Sequence, residues 1–201
     1  MDFVMLVLCA VIAYLLGSIN SGIIFTKLFT GDDLRSHGSG NAGATNAFRV
    51  LGKKAIFVVA GDILKGVAAV FIGKLLHGEN GMLCGYVFVL LGHAYPIFFG
   101  LRGGKAILTT AAAIAVIDWR VTAILFTLFV LIVLITRYIS LGSIISVSLI
   151  PLVLWLFGWH NEGMIICTMF ASIWMVMLHR ENIERLLAGK ERKFYFKSDK
   201  Q

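Results

Sequence analysis

Charge is what this sequence has least of. Only 14% of its 201 residues are Asp, Glu, Lys or Arg, against about a quarter in soluble domains, while 59% are hydrophobic and the mean hydropathy is +0.89. Such a chain is not a soluble globular domain; it reads as a polytopic membrane protein. Acid is scarcest, with 11 Asp and Glu against 18 Lys and Arg and a net charge of +7. The surplus does not point to nucleic acid, because it falls in short breaks between apolar runs and in the tail, where it suits an anionic leaflet. Cysteine is sparse too: Cys9, Cys84 and Cys167 each stand alone in an apolar run. With no C-x-x-C and no His/Cys cluster, neither a disulfide framework nor a metal site is expected, and no cofactor either. A cleavable leader is not expected, since the first apolar stretch lacks a basic n-region and an Ala-x-Ala exit, and Leu8 ahead of Cys9 suits a lipoprotein cleavage box poorly.

What is present is a series of seven apolar runs, at 3–25, 55–76, 82–99, 106–117, 121–135, 141–159 and 164–178. Several are shorter than the roughly 20 residues that cross a bilayer, so their ends must borrow flanking polar residues. Only Asp118-Trp119-Arg120 separates the fourth run from the fifth. Treating them as two spans with the N-terminus outside puts Lys27, Arg35, Arg49, Lys53, Lys54, Arg102, Lys105, Arg137 and the basic tail inside, and leaves the outside loops only Arg120. Merging them would export the tail. The expectation is therefore an all-α membrane protein of seven transmembrane helices, N-terminus outside and C-terminus cytoplasmic. It forms one domain, 1–201, with a basic cytoplasmic tail at about 179–201.

The polar chemistry gathers at the ends of these runs. His37–Arg49 reads His-Gly-Ser-Gly-Asn-Ala-Gly-Ala-Thr-Asn-Ala-Phe-Arg. Gly38, Gly40 and Gly43 can turn backbone N–H groups toward one anion; Ser39, Asn41, Thr45 and Asn46 add side-chain donors, and Arg49 adds a planar charged fork. The competing reading is a flexible polar loop between helices. It is neither a Walker loop nor a Rossmann turn. Gly103-Gly104-Lys105 at a helix start would let amides approach an anion beside a point charge. His179 and Asn182, three apart, would share a helix face at the membrane surface, where histidine can move a proton and asparagine can orient a hydroxyl. The remainder from Glu181 to Arg192 reads as a solvated, charge-paired end.

Inside the runs, Asp62 and Lys65 lie on one helical face and are expected to pair. Gly17–Gly22 reads as a small-residue packing face or a substrate contact, and His93 as a helix-to-helix hydrogen-bond partner.

Taken together, these motifs resemble the bacterial acyl-phosphate–glycerol-3-phosphate acyltransferases, integral membrane enzymes of phospholipid synthesis. The likeness covers nearly the whole chain. It rests on Gly17-Ser18-Ile19, Gly38-Ser39-Gly40-Asn41-x-Gly43-x-Thr45-Asn46-x-x-Arg49, Asp62-Ile63-Leu64-Lys65-Gly66, Gly92-His93 with Pro96, Gly103-Gly104-Lys105, Ser140-Leu141-Gly142-Ser143 and His179-Arg180-x-Asn182-Ile183. The family's glycine-lysine motif usually continues with glycine, where this chain has Ala106.

The resemblance implies transfer of a fatty acyl group from acyl phosphate to the 1-hydroxyl of glycerol 3-phosphate at the cytoplasmic face of the bacterial inner membrane. Acyl phosphate, glycerol 3-phosphate and membrane lipids are then the partners. Lys105 and His179 would be catalytic; Ser39, Gly40, Asn41, Gly43, Thr45, Asn46, Arg49, Gly103, Gly104, Ser143 and Asn182 would bind substrate. The base would be His179 or the substrate's own phosphate. A transporter for an anionic solute is the competing class; the one-sided clustering of polar groups, and the lack of paired broken helices, argue against it.

Overall fold

The computed structural model describes residues 2–194, among which every regular element is a helix and none is a strand. The chain divides into two compact units, which meet in sequence at Ile117 and Asp118.

In the first unit, the opening apolar run is two helices, where one was expected. α1 (Asp2–Ser18) stops before Asn20, whose side chain accepts from the Ile23 amide at 3.0 Å and starts α2 (Ser21–Thr30). The Gly17–Gly22 stretch is this break, and its glycines serve close packing. Gly17 lies on the backbone of Val89 and Gly92, and Gly22 on that of Ala42, so a Cβ at either would collide. α3 (Ala44–Leu51) follows a short turn, Leu34–Ser36.

α4 (Ile56–Ala94) leaves helical geometry at His77 and Gly78 and reverses there. Gly73 faces Gly81, and Gly85 faces Ala69, so residues 56–76 and 79–94 are antiparallel limbs packed backbone to backbone. α5 (Ile107–Ile117) lies against the first limb, with Gly66 admitting the Thr109 carbonyl. Asp62 and Lys65 form the expected pair, Nζ to Oδ1 at 2.9 Å, with side chains only 3% and 4% exposed. Lys65 also donates to the Ile19 carbonyl at 3.0 Å, which holds the α1–α2 break against α4.

In the second unit, α6 (Trp119–Thr136) is capped by Asp118, whose carboxylate takes Arg120 Nη2 at 2.6 Å and the Trp159 indole N–H at 3.1 Å. α7 (Ile139–Ser148) and α8 (Ile150–Leu156) replace the single run expected there. Pro151 lacks an amide hydrogen, and the two helices are bent by 45°. α9 (Glu162–Leu178) and α10 (Arg180–Leu187) bend by 58° at His179. Each of the seven apolar runs is helical, but length and composition alone qualify three spans, or up to five when each bent pair counts as one.

Candidate active site

The 37–49 loop is built by Asn46, which is 2% exposed. Its Oδ1 accepts from the Ser39 amide at 2.8 Å, and its Nδ2 donates to the carbonyls of Leu34 (3.2 Å), His37 (2.9 Å) and Asn41 (3.0 Å). Asn41 Oδ1 accepts from the Gly43 amide, and the Gly40 amide donates to His37. Gly38 and Gly40 take φ of +62° and +74°, conformations that L side chains adopt only with strain, and a Cβ on Gly38 would overlap Asn46 Oδ1.

The amides of Ser39, Gly40 and Gly43 are thus closed within the loop, and Asn46 faces inward as the loop's organiser. What the loop offers outward are side chains: exposed Ser39, half-buried Asn41, and Thr45 with Arg49, four residues apart on α3. In the first turn of α3, the Asn46 and Ala47 amides both donate to the N-cap Gly43 carbonyl at 3.1 Å.

The glycine-lysine turn is closed in the same way. The Gly103 amide donates to Ala94 at 2.9 Å and the Gly104 amide to His93 at 3.2 Å. A Cβ on Gly103 would strike the His93 carbonyl, and one on Gly104 would strike His93 Nε2. These glycines allow close approach to the end of α4. Lys105, half-buried, is the group this turn presents. Ala106 follows at φ +59°, which gives a physical reason for glycine at that position in the family's motif.

Arg35 joins these two segments, a role that sequence reasoning missed by counting it only as an inside charge. Its Nη1 donates to the carbonyls of Phe99 (2.7 Å) and Arg102 (3.0 Å), while Asp33 holds its other nitrogens. The Arg35 hydrogen bonds hold the Asp33 carboxyl below its ordinary range, so the pair stays charged at neutral pH. No sequence pattern announces a guanidinium on carbonyls more than sixty residues away.

In the second unit, His179 is buried at the α9–α10 corner with Nδ1 2.8 Å from the Met175 carbonyl. A carbonyl only accepts, so Nδ1 carries hydrogen and turns toward the α9 backbone. Ser143, also buried, donates to Ile139 at 3.0 Å. Asn182 is held by Glu191, which was expected to be solvated and has a side chain only 6% exposed. Glu191 accepts from Asn182 Nδ2 (2.7 Å), Ser140 Oγ (2.9 Å) and Arg185 Nε (2.7 Å). Burial pushes its carboxyl up, but the hydrogen bonds from Arg185, Asn182 and Ser140 outweigh this and hold it below the ordinary value. The nearer and shorter-range pattern, Arg185 with Glu181 on the same helix, is the weaker contact at 3.8 Å and masked this one.

The described residues contain no group of three His, Cys, Asp or Glu able to hold a metal. Helices apolar enough to cross a membrane carry these polar turns, the class of an integral membrane protein. A family model described as glycerol-3-phosphate acyltransferase matches residues 7–189, and the chain belongs to that family. Among curated relatives, a glycerol-3-phosphate acyltransferase of Carboxydothermus hydrogenoformans is 42% identical over 94% of this chain and 96% of its own. One of Bacillus subtilis is 39% identical over 94% and 97%. The fold matches the crystal structure of PlsY (YgiH), an integral membrane glycerol 3-phosphate acyltransferase, in its glycerol 3-phosphate form. There the TM-score is 0.89 and the identity 36%, over 94% of this chain and 96% of that one. The lysophosphatidic acid form of PlsY matches with a TM-score of 0.87.

Proposed function

We propose that this protein transfers a fatty acyl group from acyl phosphate to the 1-hydroxyl of glycerol 3-phosphate, releasing lysophosphatidic acid and inorganic phosphate. The observation that carries the reading is the self-closed loop pair, in which Asn46 and Arg35 fix two backbone segments; Ser39, Arg49 and Lys105 on these segments are our candidate side-chain donors for phosphate oxygens. The relatives' activity as glycerol-3-phosphate acyltransferases and the glycerol 3-phosphate and lysophosphatidic acid forms of PlsY support acceptor and product. The donor rests on the family resemblance and on chemistry: an acyl phosphate is a mixed anhydride, already activated, and needs no covalent enzyme intermediate.

The hydroxyl oxygen attacks the acyl carbon, the bond from that carbon to the bridging phosphate oxygen breaks, and the hydroxyl proton ends on the departing phosphate. Lys105 stabilises the charge that develops there. In the first unit Ser39, with Thr45, Asn41 and Arg49, contacts phosphate oxygens; in the second, Ser143 and Asn182 are the substrate-binding residues. Gly40, Gly43, Gly103, Gly104 and Asn46 contribute by shaping the loops. The proton passes through His179 Nε2 or directly to a substrate phosphate, whose second pKa of about 6 leaves it largely dianionic.

Charge placement supports seven spans with the N-terminus outside, the functional loops at the cytoplasmic face, and a bacterial inner-membrane location. The family match from residue 7 to 189 runs through both units and supports one acyltransferase domain. The test is conversion of labelled glycerol 3-phosphate by the purified protein with palmitoyl phosphate. Appearance of labelled lysophosphatidic acid is the expected result; none at any protein concentration refutes the assignment.

A further inference from the structure

We propose that His93, gripping Thr109 and the backbone of Gly104 at once, is the positioning residue that fixes Lys105. The inference rests on the catalytic role proposed for that lysine. His93 is the penultimate residue of α4 and is buried with Thr109. Its Nδ1 lies 3.2 Å from Thr109 Oγ1, in the first turn of α5. Its Nε2 edge lies under Gly104, so close that a Cβ there would collide with it, and its carbonyl accepts the Gly104 amide at 3.2 Å. His93 therefore holds the residue immediately before Lys105 through its main-chain carbonyl, with its ring packed under that residue, and meets the residue four after the lysine through Nδ1.

Simple attachment of α4 to α5 would require only the Thr109 contact. The second contact closes the six-residue segment 104–109, which contains the lysine and the left-handed Ala106. Behind the ring, Asp62 Oδ1 lies 3.7 Å from Nδ1 and is itself held by Lys65 at 2.9 Å. Lys65 is tied in turn to the Ile19 carbonyl. The buried charges thus back the ring, and the ring backs the turn. A displacement of about 1 Å at a catalytic group can cost about a hundredfold in rate, so such a device has leverage.

The experiment compares the full chain in detergent with T109V, T109S, H93F and K105A, measuring kcat, KM for glycerol 3-phosphate and melting temperature. T109V removes the hydroxyl and keeps the shape; T109S restores the hydroxyl. Expected are a kcat about tenfold down for T109V at near-constant KM and melting temperature, recovery to within about twofold in T109S, and a larger kcat loss in H93F. Unchanged kcat in T109V overturns the proposal, as does equal loss in T109V and T109S, or a kcat loss matched by a fall in melting temperature. Should H93F not fold, the two Thr109 variants decide alone. K105A separates this failure from that of the underlying reading: a dead K105A with a fully active T109V refutes only the positioning role, whereas an active K105A removes the lysine's role and this inference with it.

Discussion

Replacing Asn46 by aspartate changes one nitrogen to oxygen and should be more damaging than removing the side chain. The amide nitrogen donates to three carbonyls between 2.9 and 3.2 Å, and in aspartate that position becomes an acceptor facing acceptors. At about 1 kcal/mol net per hydrogen bond, the lost donations amount to roughly 2–4 kcal/mol, before the repulsion of a carboxylate at 2% exposure is added. Alanine loses the same bonds together with the Ser39 amide contact, but leaves a space that water can enter beside an already exposed loop. The order of both melting temperature and acyl transfer rate should therefore be wild type, N46A, N46D, with N46D lower by several degrees. Thermal unfolding in detergent, followed by an activity assay on the same samples, makes the comparison. If N46D melts and turns over as the wild type does, the loop is not organised by this amide. If both variants raise only KM for a substrate, Asn46 is a ligand and its inward role is wrong.

R49A and K105A should abolish turnover while leaving melting temperature near wild type; near-normal rates would remove either residue from the site. H179Q tests the base: a large kcat loss assigns proton transfer to Nε2, whereas retained activity with an unchanged pH profile assigns it to the substrate phosphate. A106G removes a left-handed alanine at φ +59°, relieving about 1–2 kcal/mol of strain. Glycine's chain entropy returns roughly 0.5–1 kcal/mol of that and loss of the buried methyl offsets most of the remainder, so a shift in melting temperature of more than a few degrees either way would contradict the balance. Asp118 is held at about 2, chiefly by its hydrogen bond from Arg120 against the opposing effect of burial. Because the folded value lies below the unfolded one of about 3.9, its stabilisation is complete above pH 4 and is lost as pH falls toward 2. D118N should therefore melt below the wild type at pH 6, with the gap closing at pH 3 and below; a gap independent of pH would show that no charge is involved.

The apolar runs were legible because membrane helices follow hydropathy, and Asp62 with Lys65 was legible because a three-residue spacing puts charges on one face. The breaks at Asn20 and Pro151 were not assigned, since the apolar runs continue across both and only local capping or a missing amide divides the helices. In the candidate site, the motifs marked the polar turns but not how their backbone amides are satisfied. Glycines adjoining donors suggest amides aimed at an anion, yet the closing partners of those amides are Asn46, His37 and Asn41 within the loop and His93 and Ala94 far from it. Arg35 and Glu191 were missed for the same reason: their partners are fixed by tertiary packing, while their neighbours in sequence supply an adequate but weaker explanation.

The central claim is the donor, and phosphate release by the purified protein tests it most directly. Palmitoyl phosphate with glycerol 3-phosphate should release inorganic phosphate and form one lysophosphatidic acid per phosphate, with little release when the acceptor is omitted and no lysophosphatidic acid from palmitoyl-CoA. Acyl transfer from palmitoyl-CoA but not from palmitoyl phosphate would contradict the account.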